Sequence, residues 1–334
     1  MARRMRQTTD HGWTSIRFEA AAGRIAGWVE RTPLIPFDAG DRRVELRLKL
    51  ENRQVTGAFK ARGACNQIRQ LSAPERAAGV VACSSGNHGK ALAWAAREAG
   101  VLATIVMPRN AYPNKIQACR DLGAEVVLAP TRQEAELDCA RRVAAGARLV
   151  HPYDDERTIE GAGTVGLEIA EEWPDVEVVI VPVGGGGLIA GSSLAIRRRL
   201  GVRPTILGSE PSGAATMTRG LEAGAPVTVD PITTEVQGLC PLFSGALNIA
   251  ICSETLDGVE LVEDEEVYAA QRRLVEAGEI VEPAGAAAAA VVFTGKLRPA
   301  LLAGRSGADP LRVAVVLSGG NADPEQLARL TGGR

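Results

Sequence analysis

Short runs of consecutive apolar residues alternate along the chain with longer segments in which apolar residues recur every three or four positions. The short runs predict buried β-strands at Gly79–Cys83, Ala103–Met107, Glu125–Leu128, Val176–Val183, Thr205–Ser209 and Arg312–Leu317. The periodic segments predict helices at Asn87–Ala99, Asn114–Leu122, Gln133–Ala145, Leu188–Leu200 and Glu265–Ala277. Apolar strands separated by helices are typical of mostly parallel sheets with helices on both faces.

The chain has 334 residues, which is long enough for two α/β domains or one large α/β unit. A change in composition falls at His151–Glu160, where the polar run HPYDDERTIE interrupts the apolar pattern. We expect the chain to cross there from one α/β layer to the other. Several predicted strands end in turns rich in glycine or serine, where open α/β sheets bind their ligands.

The net charge, the apolar runs and the N-terminal residues argue against several classes of protein. The net charge of −2 leaves no positive surplus for the phosphates of a nucleic acid. The longest apolar run, around Ala284–Phe293, is too short to cross a bilayer. Residues Met1–Gly12 carry arginines without the apolar stretch of a secretory signal. We therefore expect a cytoplasmic protein that binds neither nucleic acid nor membrane.

The cysteines and histidines predict no metal centre. None of the six cysteines falls in a C-x-x-C pair, so we expect buried, reduced thiols rather than a zinc site or a disulfide framework. The three histidines, His11, His88 and His151, are too scattered for a metal cluster.

Four consecutive glycines stand in the turn VPVGGGGLIAG, Val181–Gly191, after an apolar strand and before a helix. Such a loop lets backbone N–H groups converge on a phosphate at a helix N-terminus. The dinucleotide fingerprint is an alternative, because Gly185, Gly187 and Ala190 have its spacing and Glu210 ends the next strand. The extra adjacent glycine and the position in mid-chain favour a compact phosphate cup.

Two further turns carry polar groups beside a predicted strand. The turn CSSGNHG, Cys83–Gly89, suits binding of a carboxylate or a phenolic oxygen. Its alternative role is to cap the following helix through one polar side chain. The turn LSGGN, Leu317–Asn321, offers a hydroxyl to a ligand or is an ordinary turn.

Lysine is rare in this chain, with five lysines against 33 arginines. Lys49 alternates with leucines and is predicted on the solvent face of a strand, whereas Lys90, Lys115 and Lys296 are predicted on helix or loop surfaces. Lys60, in the stretch GAFKARG, has an aromatic neighbour and flanking glycines. Because a lysine amine can lose its proton and an arginine cannot, Lys60 is the candidate nucleophile.

These segments together resemble the fold-type II pyridoxal-phosphate enzymes, in the branch of threonine/serine dehydratases and serine racemases. The matching segments are LKLENRQVTGAFKARGA around Lys60, SSGNHG at Ser84–Gly89, GGGGL at Gly184–Leu188, SEP at Ser209–Pro211, EPAGA at Glu282–Ala286 and SGGN at Ser318–Asn321. The resemblance implies an α/β fold like that of tryptophan synthase β, with two open, mostly parallel sheets flanked by helices. It implies a large cofactor-binding domain at 1–70 and 156–334, a small mobile domain at 71–155, and no C-terminal regulatory domain.

The resemblance also implies residue roles around pyridoxal 5'-phosphate. Lys60, beside Phe59, holds the cofactor as a Schiff base and takes the substrate's Cα proton. The resemblance implies that the phosphate is bound by Gly184, Gly185, Gly186, Gly187 and Leu188. It implies that Asn87 contacts the phenolic oxygen and that Ser318 faces the pyridine nitrogen. The implied substrate contacts are Ser84, Ser85, Asn87 and His88. A neutral hydroxyl at that nitrogen gives a weaker electron sink than a carboxylate, which favours loss of a β-substituent.

The implied reaction is dehydration and deamination of a β-hydroxy amino acid, serine, threonine or a relative, to a 2-oxo acid and ammonia. Ser85 stands where racemases of the branch carry a second acid/base, so a racemase is an alternative, as is a β-replacement synthase. The segment HPYDD at His151–Asp155 looks more like that of the dehydratases. A nicotinamide-dependent oxidoreductase and a non-catalytic ligand-binding relative stay as alternatives of other classes. The resemblance suggests a homodimer.

Departures from the family pattern also shape the expectations. Ala58 replaces a common serine beside the lysine. The cation site of the racemases matches at Glu210 and Ala214 but has Thr216 at its third position, which leaves a divalent cation (Mg or Ca) in doubt. The segment Glu235–Asn248 is atypical of the family. The resemblance implies that this region borders the substrate, so the preferred amino acid need not be serine or threonine.

Overall fold

A computed structural model describes residues 13–330, and two separate β-sheets carry the fold within that range. The strands are β1 (Leu34–Phe37), β2 (Val44–Lys49), β3 (Val80–Cys83), β4 (Ala103–Pro108), β5 (Glu125–Ala129), β6 (Arg148–Leu149), β7 (Val178–Pro182), β8 (Thr205–Pro211), β9 (Gly258–Val262) and β10 (Leu311–Val316). The first seven α-helices are α1 (Phe18–Ile25), α2 (Lys60–Arg69), α3 (Ala73–Ala78), α4 (Asn87–Ala99), α5 (Pro113–Asp121), α6 (Arg132–Ala144) and α7 (Glu156–Glu172). They are followed by α8 (Gly187–Leu200), α9 (Thr216–Ala223), α10 (Ala246–Thr255), α11 (Asp264–Glu276), α12 (Pro283–Phe293), α13 (Pro299–Leu302) and α14 (Pro324–Leu330).

The larger sheet has six strands in the order β1-β2-β10-β7-β8-β9. Every neighbouring pair is parallel except β1 and β2, which are antiparallel. Alternate residues of its strands face opposite layers: Val313 and Val315 pack with α12, whereas Ala314 and Val316 pack with α7 and α8. Both faces are therefore buried, which explains why these strands read as continuous apolar runs.

The smaller sheet has four parallel strands in the order β5-β4-β3-β6. Val80 and Ala82 of β3 pack on the side of α4 and α5, and Val81 packs on the side of α6. The chain leaves β6 and reaches α7 of the larger sheet through residues 150–155. This passage overlaps the predicted crossing region at His151–Glu160 in all but its first residue.

All six predicted strands and all five predicted helices are present, with ends that differ by at most two residues. The fold class, α/β with mostly parallel sheets, is confirmed. No bounds were predicted for strands β1, β2, β6 and β9, although the alternation around Lys49 indicated a strand at β2. Strand β1 is an edge strand that contains proline, β2 has alternating charges, β6 has two residues and β9 begins at glycine. None of them has the apolar run that marks a buried strand.

The apolar run near Ala284–Phe293 forms helix α12, which is buried against the larger sheet. Among the described residues, no helix is both long enough and apolar enough to cross a membrane. All six cysteines are free thiols; four are buried, whereas Cys83 and Cys240 are half-buried. His11 and the segment Met1–Gly12 lie outside the described residues.

The prediction that Lys49 lies on the solvent face of a strand is wrong. Its side chain is fully buried, with Nζ 2.7 Å from Glu168 Oε2 and 2.6 Å from the carbonyl oxygen of Thr32. Strand β2 lies inside the sheet between β1 and β10, and Glu168 comes from the covering helix α7. The alternation of leucine and charge therefore reflects a buried ion pair and not contact with water.

Candidate active site

The backbone before Lys60 is paired with the turn after β10. Ala58 and Gly319 form an antiparallel bridge, and the N–H of Phe59 donates to the carbonyl oxygen of Ser318 at 3.0 Å. Gly57 makes the turn into this pairing with a φ of 77°, a conformation that glycine adopts at little cost. The pairing fixes the start of α2, and with it Lys60, directly beside Ser318. It also places Ala58 in a fully buried position opposite a glycine.

Lys60 is the first residue of α2, and its half-buried side chain is partly removed from water. Nζ donates to the carbonyl oxygen of Pro152 at 2.6 Å and lies 4.9 Å from the centre of the Phe59 ring. Burial lowers the pKa of Lys60 to about 8, because the charged ammonium loses its hydration. A substantial fraction of this amine is therefore neutral near physiological pH and able to act as a nucleophile.

The glycine loop is held from outside by the segment 244–248. Ser244 Oγ donates to the carbonyl oxygen of Gly184 at 3.1 Å. Gly245 N and Asn248 Nδ2 donate to that of Gly185 at 3.1 and 2.8 Å. The N–H of a trans peptide points opposite to its C=O. The N–H groups of Gly185 and Gly186 therefore face away from residues 244–248, and with the start of α8 they form a cradle for an anion.

The segment His151–Asp155 joins this loop to Lys60. The Tyr153 ring lies against Gly185 so closely that a Cβ on Gly185 would overlap it. The neighbouring Pro152 accepts the bond from Lys60, and Asp154 accepts from the first N–H groups of α10 at 3.1 Å. Glycine is therefore required at 185 for steric reasons.

In the turn before α4, two polar side chains are bonded to backbone groups and one is exposed. Ser84 Oγ accepts from the N–H of Gly89 at 3.2 Å, which is the capping role considered above. His88 is buried and its Nε2 donates to the carbonyl oxygen of Val150 at 2.8 Å. Burial lowers the pKa of His88 to about 3, so the ring is neutral. Ser85 is exposed at the tip of the turn.

Asn87 links this turn to the larger sheet. Its Oδ1 accepts from Asn321 Nδ2 at 2.9 Å, and its Nδ2 donates to the carboxyl group of Glu282. Ser318 is buried close by, with Oγ 3.3 Å from the carbonyl oxygen of Ala284 at the start of α12. Lys60 is thus linked to Ser318 through Phe59 and to the glycine loop through Pro152 and Tyr153, and Asn87 is bonded to Asn321 of the same turn as Ser318.

The predicted cation site is engaged by protein groups instead. Glu210 accepts from the N–H groups of Met217 and Thr218 at 2.6 and 3.0 Å, and from the Thr218 hydroxyl at 2.9 Å. Thr216 Oγ1 also lies 3.4 Å from this carboxylate. Among residues 13–330, no group of three or more His, Cys, Asp and Glu could hold a metal ion. These bonds already occupy the Glu210 carboxylate, and a cation at Glu210 and Ala214 stays a prediction. The same hydrogen bonds occupy the Glu210 carboxylate, which is the acidic residue that the dinucleotide-binding alternative requires.

Sequence reasoning missed the residues that support the site: Tyr153, Ser244, Asn248 and Glu282. Their segments had a signal, because Glu282 opens EPAGA and Tyr153 lies in HPYDD, but nothing in those segments marked the individual residues. Ser244 and Asn248 belong to the atypical segment Glu235–Asn248, whose role is now visible: it carries the outer support of the glycine loop.

A desolvated lysine, a glycine cradle at a helix N-terminus and a buried serine at the ends of parallel strands together define an α/β enzyme that works with a phosphorylated cofactor. Residues 25–319 match the family model described as "Pyridoxal-phosphate dependent enzyme". The chain belongs to this family.

Known proteins with similar sequences and structures agree with this membership. The chain is 40% identical to an L-threonine ammonia-lyase of Thermotoga maritima, over 86% of this chain and 69% of that protein. It is 36% identical to a phenylserine dehydratase of Ralstonia pickettii, over 92% and 93% of the two chains. The structure of maize serine racemase matches with a TM-score of 0.86 at 33% identity, covering 94% of this chain and 95% of that one.

These comparisons confirm the resemblance to fold-type II enzymes of the dehydratase and racemase branch, and pyridoxal phosphate as the cofactor. The family is enzymatic, as predicted. The roles of the individual site residues, the two domain boundaries and the homodimer stay predictions.

Proposed function

We propose that this protein is a pyridoxal-phosphate-dependent ammonia-lyase that dehydrates and deaminates a β-hydroxy amino acid. One observation carries the proposal: the desolvated Lys60 amine lies between Ser318 and the segment that covers the glycine loop. The similar threonine ammonia-lyase and phenylserine dehydratase support the reaction type.

The described residues fit the cofactor. Lys60 would bind its carbonyl carbon, with Phe59 beside it, and Gly184–Leu188 would hold the phosphate through backbone N–H groups. Asn87 would donate to the phenolic oxygen and Ser318 would face the pyridine nitrogen. Ser84, Ser85 and His88 would border the substrate, with Ser84 and His88 mainly shaping the turn because both are already bonded to backbone groups.

The cofactor, when bound, supplies an electron sink that stabilises negative charge at the substrate's Cα. Lys60 would take the Cα proton, for which its lowered pKa suits it. The β-hydroxyl then leaves as water, and a second water releases ammonia and the 2-oxo acid. Ser318 lacks a negative charge to keep the pyridine nitrogen protonated, and this favours β-elimination over transamination.

The attachment of the cofactor to the apoprotein should depend on pH through Lys60. Only the neutral amine attacks a carbonyl, so the attachment rate should rise roughly tenfold per pH unit well below 8 and level off above about 8. Stopped-flow absorption of apoprotein mixed with pyridoxal phosphate measures this rate. A profile still rising at pH 10 would show an unperturbed lysine and contradict the desolvated site.

A panel of L-serine, L-threonine and L-phenylserine tests the reaction itself. We expect ammonia and the matching 2-oxo acid in equal amounts from at least one of them. A cofactor-loaded protein that releases neither product from any β-hydroxy amino acid would refute the lyase assignment.

A racemase is the second candidate, favoured by the exposed position of Ser85 on the turn beside Asn87. A serine there could exchange the Cα proton on the face opposite Lys60. Following D-serine against pyruvate from L-serine separates the two activities, and Ser85→Ala should remove D-serine formation while pyruvate formation persists. Loss of neither product in S85A would dismiss this role for Ser85.

We also propose a homodimer in the cytoplasm, with a large domain at 1–70 and 156–334 and a small domain at 71–155. The division follows the two sheets, because β3 to β6 fall within 71–155. Light scattering coupled to gel filtration would give the mass: about twice 35.0 kDa is expected, and a monomeric mass would exclude the dimer.

A further inference from the structure

Four polar side chains form a continuous chain of hydrogen bonds between the units built on the two sheets. Lys90 Nζ donates to Asn321 Oδ1 at 2.8 Å, and Asn321 Nδ2 donates to Asn87 Oδ1 at 2.9 Å. Asn87 Nδ2 donates in turn to Glu282. Lys90 and Asn87 belong to α4, packed on the smaller sheet, whereas Asn321 follows β10 and Glu282 precedes α12.

The chemistry of the two ends fixes the direction of this chain, which we call the amide relay. A lysine ammonium has only donors, so Asn321 must turn its oxygen toward Lys90 and its NH2 toward Asn87. The same NH2 donates to the carbonyl oxygen of Thr56 at 2.9 Å, which is a pure acceptor. Asn87 must then turn its own NH2 away from Asn321, toward Glu282.

The environment of both ends is compatible with this direction. Burial raises the pKa of Glu282, while the charges of Lys115 and Lys90 and the bond from Asn87 oppose the rise. A carboxyl oxygen accepts a hydrogen bond in either protonation state. Burial lowers the pKa of Lys90 from its ordinary value, and the Glu282 carboxyl acts in the opposite sense. The Asn321 bond and the Glu282 carboxyl thus favour the Lys90 ammonium against its partial burial.

We propose that Lys90 is a positioning residue: acting through Asn321, it orients the Asn87 carboxamide so that the NH2 faces the cofactor's phenolic oxygen. This rests on the proposed function, in which Asn87 contacts that oxygen. An amide NH2 has two hydrogens, so Asn87 can serve Glu282 and the phenolic oxygen together. If Asn87 turned over, it would present a carbonyl oxygen to both of these acceptors.

Substitutions can separate the positive charge of Lys90 from the direction of the hydrogen bonds in the amide relay. Lys90→Met removes the donor that orients Asn321, whereas Lys90→Arg keeps an end with donors only. Asn321→Asp should strengthen the direct contact with Lys90, yet it replaces the NH2 that Asn87 needs with a second acceptor. Lys296→Met is the matched control, because Lys296 pairs with Glu266 at 2.6 Å away from the site.

The measurements use purified holoprotein: the dissociation constant of pyridoxal phosphate and the pH titration of the bound cofactor's visible absorption. We expect K90M and N321D to weaken cofactor binding about three- to tenfold, the effect of one lost hydrogen bond. Both should also move the midpoint of the absorption titration, whereas K90R and K296M should match the wild type. Circular dichroism checks that each variant is folded.

The outcomes separate the relay from simpler accounts. If N321D binds and titrates as the wild type does while K90M is impaired, Lys90 is only a charge or a tether, and the relay is overturned. Unchanged values in folded K90M and N321D also overturn it. If the wild type itself binds no pyridoxal phosphate, the proposed function fails and the relay fails with it. This outcome is distinct from any result that concerns the variants alone.

Discussion

Replacing Lys60 with alanine is expected to lower the deamination rate by at least about 10³-fold, because both the cofactor anchor and the base at Cα are lost. The variant should stay folded, because the pairing of residues 57–59 with the turn after β10 uses backbone groups alone. Its visible cofactor absorption should also disappear. Ammonia release from the best substrate of the panel, measured at saturating cofactor, gives the rate.

Lys296→Ala is the matched control, because it removes a lysine whose partner Glu266 lies on the surface of α11. This variant should keep wild-type turnover. If Lys60→Ala kept a tenth of the wild-type rate with its absorption intact, Lys60 could be neither the anchor nor the base.

Replacing Arg62 with methionine is expected to lower the free energy of unfolding by about 3–5 kcal/mol, because it leaves buried carboxylates without their partner. Arg62 is 1% exposed and binds Glu51 and Glu168 with bonds of 2.6–2.9 Å. Burial alone would raise the pKa of Glu51, but the Arg62 charge and its hydrogen bond hold that pKa below its ordinary value. Urea unfolding at pH 7 measures the loss.

The pH dependence of this variant provides a second test. In the wild type, the stabilisation from Glu51 is complete above its unfolded-state pKa and is lost as the pH falls through the lower folded-state pKa. Without Arg62, burial should raise the pKa of Glu51, so acidification to pH 5 should narrow the deficit of R62M. Arg97→Met removes an exposed pair with Glu98 and should cost at most about 1 kcal/mol. An equal cost for R62M and R97M would show that the buried cluster is not stabilising.

Arg62 also explains why the start of α2 is so well fixed. It lies two residues after Lys60 and binds Glu168 of α7 and Glu51, which follows β2. The cluster anchors the helix that carries the lysine to both neighbouring elements. Loosening it is therefore expected to affect the position of Lys60 as well as stability.

The strands and helices with strong periodicity were predictable because burial on two faces leaves a continuous apolar run. Strand β2 has no such run, because its Lys49 is a charged side chain buried with Glu168, which also binds Arg62 and comes from a distant segment. Glu168 is 119 residues from Lys49 and 106 from Arg62, so local sequence could not show that these side chains meet. Buried ion pairs appear in sequence as a surface pattern, and this is why Lys49 was misplaced.

In the candidate site, too, some residues could be predicted from the sequence and others could not. Lys60, the glycine loop, Asn87 and Ser318 lie in turns with marked composition, so their segments could be recognised from sequence. The roles of their supporting residues could not, even though the segments of Tyr153 and Asn248 stood out, because these residues act through backbone carbonyls and close packing. Lys90 is the instructive case, because it was predicted on a surface although it bridges two sheets through one bond to Asn321.

The central claim is that Lys60 carries the cofactor, and reductive trapping tests it most directly. Sodium borohydride converts a lysine-bound pyridoxal phosphate into a stable pyridoxyl-lysine, which peptide mass spectrometry then locates. The account predicts one modified lysine per chain, in the peptide that contains Lys60. Modification at Lys49, Lys90, Lys115 or Lys296 instead, or no modification of protein purified with the cofactor, would contradict it.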